Sequence, residues 1–122
     1  MAEATVRFFE DLDQQGYEPL LAKLSGTVRF DLHEGPQTMH WLVRIDRGQI
    51  RVSREDMEAD AVVGTSPGLF EDLVTGRENG LAALLRGDMT ITGDARLIVQ
   101  LDRIFPGPPH SVGPHRYRKG VR

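Results

Sequence analysis

The stretch LLRGDMTITGDARLIVQL, Leu84 to Leu101, decides the fold. Two Gly-Asp pairs bracket a short run, Met89 to Thr92, in which apolar and hydroxyl residues alternate. That period of two predicts a strand with Met89 and Ile91 on one face and Thr90 and Thr92 on the other. Gly87 closes whatever helix precedes it, Gly93 breaks the strand, and Asp94 stands where a helix cap is wanted. In the segment that follows, Leu97, Ile98, Leu101, Ile104 and Phe105 fall at i, i+1, i+4, i+7 and i+8, a broad apolar arc of one helix. Arg96, Gln100 and Arg103 occupy the rest of its circumference, and Pro106 stops it.

Working back towards the N-terminus, the period alternates between helix and strand. Ala2–Gln15 predicts a helix, with Val6 and Phe9 three apart, Phe8 and Leu12 four apart, and Gly16 as its stop. Pro19 opens a second short helix carrying Leu20, Leu21 and Leu24, closed by Gly26. The period then becomes two. Val28, Phe30 and Leu32 alternate with Arg29, Asp31 and His33, EGPQ makes a turn, and Met39, Trp41, Val43 and Ile45 share a face. After DRGQ, Ile50 and Val52 continue on a third strand and ADAVVGT supplies a fourth, an antiparallel meander with one face buried. Ser66 and Pro67 mark a helix start, with Leu69, Phe70, Leu73 and Val74 as its apolar stripe and Gly76 as its end. A further helix, from about Glu78 to Arg86, carries Leu81, Leu84 and Leu85. Segregated strands and helices imply an α+β fold: a five-stranded, mostly antiparallel sheet with helices covering one face.

At 122 residues the chain is one domain. The expected division is a single folded unit over 1–105 followed by a flexible, basic Pro/Gly-rich tail over 106–122, because FPGPPHSVGP admits no regular element. No cysteine is present, so disulfides and thiolate chemistry are excluded. There is no signal-peptide pattern, and no apolar run approaches the roughly 20 residues that a spanning helix needs. A soluble, cytoplasmic protein is expected. All 18 acidic residues lie at or before Asp102 against ten of the 15 basic ones, so residues 1–102 carry −8 and the last 20 carry +5. An acidic body argues against nucleic acid as a partner. The tail, PHRYRKGVR, offers a transient contact with an anionic membrane.

Catalytic and metal chemistry find little support. His33 and His40 alternate away from the core face, and His110 and His115 lie in the tail, so no zinc-like spacing forms and no metal is expected. Asp88 and Asp94 flank the strand, but at about 3.3 Å per residue they stand roughly 20 Å apart, beyond a carboxylate pair's reach. No serine sits in a nucleophile elbow. No catalytic residue and no cofactor are therefore expected.

The order of elements, together with Asp60, Leu73, Gly76, Arg77, Asn79, Gly87, Met89, Ile91, Gly93 and Asp94 at their spacings, resembles the sterol carrier protein family over about Leu20 to Phe105. Asp88 stands where that family usually has a basic residue, Ala95 where it has a bulkier apolar one, and the familiar C-terminal peroxisomal targeting tripeptide is missing. The resemblance implies an apolar tunnel for fatty-acyl chains, sterols or similar lipids. The expected lining is Phe30, Trp41, Val43, Phe70, Leu73, Leu81, Leu85, Met89, Ile91, Leu97, Ile98, Leu101 and Phe105, with Arg77, Asn79 and Arg86 at the mouth. The expected function is non-enzymatic binding or carriage of a small hydrophobic molecule. The alternative is an accessory domain packing the same groove on a partner enzyme or on its own copy as a homodimer. An empty 300 Å³ tunnel would cost about 7 kcal/mol at ~24 cal/mol per Å³. That is a large share of the roughly 5–15 kcal/mol by which domains are stable. The tunnel is therefore expected to be occupied, partly wet or largely collapsed, with the last helix as its lid.

Overall fold

A computed structural model describes residues 3–106. The expected basic tail and its membrane contact fall beyond residue 106, outside the described residues.

The two long period-two segments form a hairpin. Strands β1 (Ser25–Glu34) and β2 (Gln37–Asp46) pair antiparallel in a register that sets Phe30 opposite Trp41 and Val28 opposite Val43. Apolar residues thus meet across the strands on one face, where cross-strand pairs stabilise a sheet most. A two-residue turn returns the chain as β3 (Gln49–Ser53), antiparallel to β2.

The expected meander ends there. Strand β4 (Ala61–Thr65) does not pair with β3; it crosses back and lies parallel to β1, giving the order β3-β2-β1-β4-β5, in which β5 spans Thr90–Gly93. The reason lies in the connection REDMEAD, residues 54–60. Its polar part is too long for a hairpin loop, which typically has about 2–5 residues. It becomes a strap across the sheet face opposite the helices. Asp31 binds Arg29 at 2.9 Å and His40 at 2.8 Å, Arg29 Nη1 donates to the Met57 carbonyl at 2.8 Å, and Arg44 pairs with Glu55 at 2.8 Å. Polar residues that alternate away from the core are thereby satisfied, and Leu42 on that same face is fully buried.

The helices cover the other face. α1 (Glu3–Gln15) packs on β3 and on α2 (Pro67–Val74). It also protects the exposed sheet edge, because Asp13 Oδ1 accepts from the Val52 N–H at 2.8 Å. Pro19–Leu21 forms only a 3-10 turn, and Gly26 belongs to β1 instead of ending a helix. Ser66 caps α2 as the sequence predicts, its Oγ accepting from the Leu69 N–H at 3.1 Å.

α3 (Gly80–Arg86) ends at Gly87, which takes a left-handed conformation with φ 83°. Edge strand β5 (Thr90–Gly93) pairs antiparallel with β4, and α4 (Ala95–Leu101) follows, running into a 3-10 turn over Asp102–Ile104. At Gly93 φ is 92°, and a side chain would collide with the Asp60 carbonyl oxygen. Only glycine lets β5 leave β4 so sharply into the last helix.

The core is not uniform. Under α1 and α2 it is a stack of rings: Phe9 lies 4.5 Å from Trp41 and 5.5 Å from Phe70, centroid to centroid and nearly parallel to both. Under α3 and α4 it is looser, with aliphatic side chains meeting the rings of Phe30, Phe70 and Phe105. Leu97 and Leu101 anchor α4, whereas only Ala83 of α3 is buried.

Candidate apolar cleft

The looser half of the core holds two confluent spaces. An inner cavity of about 40 Å³ lies between the sheet and the last helix, lined by Phe30, Val63, Phe70, Leu73, Gly80, Met89, Ile98, Leu101, Asp102 and Phe105. An outer groove of about 240 Å³ runs between α3, β5 and α4 along Gly80, Leu81, Leu84, Met89, Ile91, Ile98, Val99 and Asp102. The two share Gly80, Met89, Ile98 and Asp102, which form a throat.

Local sequence rules explain each wall. Phe30 and Val63 face each other on the parallel β1–β4 pair, on the helix side of the sheet. Phe70 and Leu73 occupy the buried stripe of α2. Met89 sits between the Gly87 cap and β5, and its side chain enters the throat. Ile98 and Leu101 descend from the arc of α4, and Phe105 closes the far end against Phe8, with ring centroids 4.9 Å apart.

Seven of the residues expected in the lining meet around the inner cavity: Phe30, Phe70, Leu73, Met89, Ile98, Leu101 and Phe105. Leu81 and Ile91 face the outer groove. The other four lie elsewhere. Trp41 and Val43 are buried but line neither space, because β2 lies one strand farther from α3 and α4 than β1, whose Phe30 forms the inner wall. Leu97 packs against Gly26, and Leu85 points outward, 78% exposed.

The three expected mouth residues serve local structure. Arg77 pairs with Asp72 at 3.0 Å, and Arg86 reaches Glu78 at 2.9 Å and Asp88 at 3.0 Å. Asn79 caps α3, its Oδ1 accepting from the Ala82 N–H at 3.0 Å.

The polar group that does face the cleft is Asp102. It is the single ionisable side chain among the residues lining either space. Much of the residue meets solvent, yet the surrounding protein strips water from the carboxylate and pushes its pKa up. Among the described residues no hydrogen bond or ion pair satisfies it. One signal marks it in the sequence: an acid placed inside the apolar pattern Leu101-Asp102-Arg103-Ile104, at a helix C-terminus, where the dipole disfavours negative charge.

The histidines fit the strap and turn, with His33 Nδ1 3.0 Å from Thr38 Oγ1 and His40 Nδ1 2.8 Å from Asp31 Oδ1. Among the described residues, no group of three or more metal-ligating side chains assembles. No helix there is long and apolar enough to cross a membrane.

Comparison with known proteins agrees with this architecture. Sterol carrier protein 2 of Homo sapiens is 28% identical over 96 residues, which are 76% of this chain and 17% of that much longer protein. The solution structure of sterol carrier protein domain 2 of Helicoverpa armigera superimposes with a TM-score of 0.70 at 22% identity, over 89% of this chain and 93% of that one. Sterol carrier protein 2 of Aedes aegypti, in complex with the C16 fatty acid palmitate, superimposes with a TM-score of 0.64 at 16% identity, covering 84% and 91% of the two chains. The model of the SCP-2 sterol transfer family matches residues 7–106, from within α1 to two residues past the last 3-10 turn, and the chain belongs to that family.

Proposed function

We propose that this protein binds a small apolar molecule, an acyl chain, a sterol or a similar lipid, in the cleft beneath α3 and α4, and carries it without changing it chemically. The observation that carries this is the cleft itself: two joined spaces whose walls are apolar except at Asp102. Burial alone supplies the affinity. Each methylene removed from water contributes about 0.8 kcal/mol, so a long chain binds tightly without specific chemistry. The same lining argues for carriage over catalysis: Asp102 is the single ionisable side chain among the lining residues, and no nucleophile with an adjacent base stands among them.

The cleft as it stands is small. Its two parts fall short of the roughly 300 Å³ at which ligand pockets begin. An empty 40 Å³ cavity costs only about 1 kcal/mol, so the unliganded protein tolerates it. Opening falls to Met89, whose unbranched thioether adapts its shape, and to α3, which is held by little burial.

The test is titration of the neutral, polarity-sensitive dye N-phenylnaphthylamine, followed by displacement with hexadecanol or cholesterol. Saturable dye binding, displaced by either lipid and weakened at least several-fold by Met89→Trp at the throat, is expected. Dye binding that neither lipid displaces would refute the function.

A further inference from the structure

We propose that Asp102 selects the head group of the cleft's ligand: it favours apolar bodies that end in a hydroxyl or an amine and turns away those that end in a free carboxylate. This inference rests on the cleft being a lipid site.

The position is specific. Asp102 borders both the inner cavity and the outer groove, so a ligand whose tail fills either space brings its end past this one carboxylate. Gly80 lies directly against it. A Cβ built there would stand 3.0 Å from Asp102 Oδ1, so a side chain at position 80 would make the carboxylate give by a few tenths of an ångström. Although Gly80 opens α3, no N–H of that turn reaches the carboxylate, and the Ala82 N–H is already bound to Asn79.

Basic side chains of the surrounding elements are engaged elsewhere. Arg103 Nη1 donates to the Leu20 carbonyl at 3.2 Å and to Gln100 Oε1 at 3.1 Å. Arg86 holds Glu78 and Asp88, and Arg77 holds Asp72.

An acid at a helix C-terminus, partly desolvated and with no partner among the described residues, lowers stability at neutral pH. Local rules are broken in this way chiefly where a site requires it. What the carboxylate lacks among the described residues is a donor. A ligand hydroxyl or ammonium supplies one, and a hydrogen bond to an ionised acceptor in such surroundings is of the stronger kind. A fatty-acid carboxylate would instead place two like charges side by side, and one of them would have to take up a proton against its preference.

The experiment compares hexadecanol, hexadecylamine and palmitate as displacers of N-phenylnaphthylamine at pH 8, for the natural protein and for Asp102→Asn, with thermal unfolding confirming that the variant folds. Hexadecanol and hexadecylamine should bind the natural protein on the order of tenfold or more tightly than palmitate. In Asp102→Asn the gap should close, mainly through a gain in palmitate affinity, because the amide can donate to a carboxylate. Equal or tighter binding of palmitate by the natural protein, or an unchanged preference in the variant, overturns the role of Asp102 while leaving the cleft a lipid site. Failure of all three chains to displace the dye overturns both.

Discussion

Glu71 on α2 caps α1 through Thr5. Its Oε1 accepts from the Thr5 N–H at 3.0 Å and from the Thr5 hydroxyl at 2.8 Å, while Oε2 accepts from the Ala4 N–H at 3.1 Å. Residues 66 positions apart in sequence thus form one helix cap, and the contact fixes α1 over the ring-packed half of the core. Burial opposes ionisation of this carboxyl, but the hydrogen bonds from Thr5 and Ala4 outweigh it and hold its pKa below the ordinary 4.5. A group whose pKa is lowered by folding adds stability above its unfolded pKa and loses it as pH falls through the folded value. Glu71→Gln should therefore cost about 1 kcal/mol at pH 7, and the difference from the natural protein should shrink below pH 4. Urea unfolding at the two pH values measures it, and an equal cost at both would count against the cap.

Asp102 behaves in the opposite sense. Desolvation raises its pKa, so ionising it weakens the folded state as pH rises from the unfolded value through the folded one. Asp102→Asn should raise the melting temperature at pH 7 and have little effect near pH 3, where both side chains are neutral. A variant that melts lower at pH 7 would mean that the carboxylate has a stabilising partner.

Gly93→Ala tests the turn that sends the chain into α4. The left-handed φ and the clash with Asp60 act together, and a loss of about 2–4 kcal/mol is expected. Chemical denaturation within a few tenths of a kcal/mol of the natural protein would show that the backbone relaxes there.

Much of this was legible in the sequence because its local signals agree with one another. Ser66-Pro67 starts α2, Gly87 and Gly93 bracket β5, and the alternation of Val28, Phe30 and Leu32 against Arg29 and Asp31 marks a sheet with distinct faces. The return of β4 to the side of β1 was not legible, because strand pairing over long range is decided by which edges remain open, and period-two patterns look alike on either neighbour. The lining was legible only in part. Trp41 and Val43 have the same alternation as Phe30, and a strand's place in the sheet order, which periodicity does not carry, removes them from the cleft. Asp102 escaped notice because an acid on a mostly apolar helix passes for an exposed residue until the cavity beside it is seen.

The lid was expected to be the last helix, yet burial points to α3. Leu97 and Leu101 hold α4 at 3% exposure each, while α3 buries only Ala83 and leaves Leu81 and Leu85 61% and 78% exposed. Segments with few buried apolar contacts open first. Hydrogen exchange should be faster in the amides of α3 than in those of α4, and saturating hexadecanol should slow α3 more. Faster exchange in α4 would restore the last helix as the moving part.

Trp41 provides an internal control. It stacks on Phe9, with the Arg54 guanidinium 4.1 Å over its ring, and lines neither space of the cleft. Ligand binding should leave its emission maximum unchanged, whereas Phe9→Ala, which removes its stacking partner, should shift it and cost about 3–5 kcal/mol. A shift of tryptophan emission on adding lipid to the natural protein would extend the binding site beyond the cleft.

The most direct measurement is native mass spectrometry of the freshly purified protein, repeated after incubation with hexadecanol or cholesterol. A hollow walled by Phe70, Met89, Ile98 and Leu101 should hold an apolar guest. The spectrum should show a bound small molecule that is released on denaturation, or one that appears stoichiometrically after incubation and is lost in Met89→Trp. Bare protein in both spectra would contradict the claim that this cleft binds lipid.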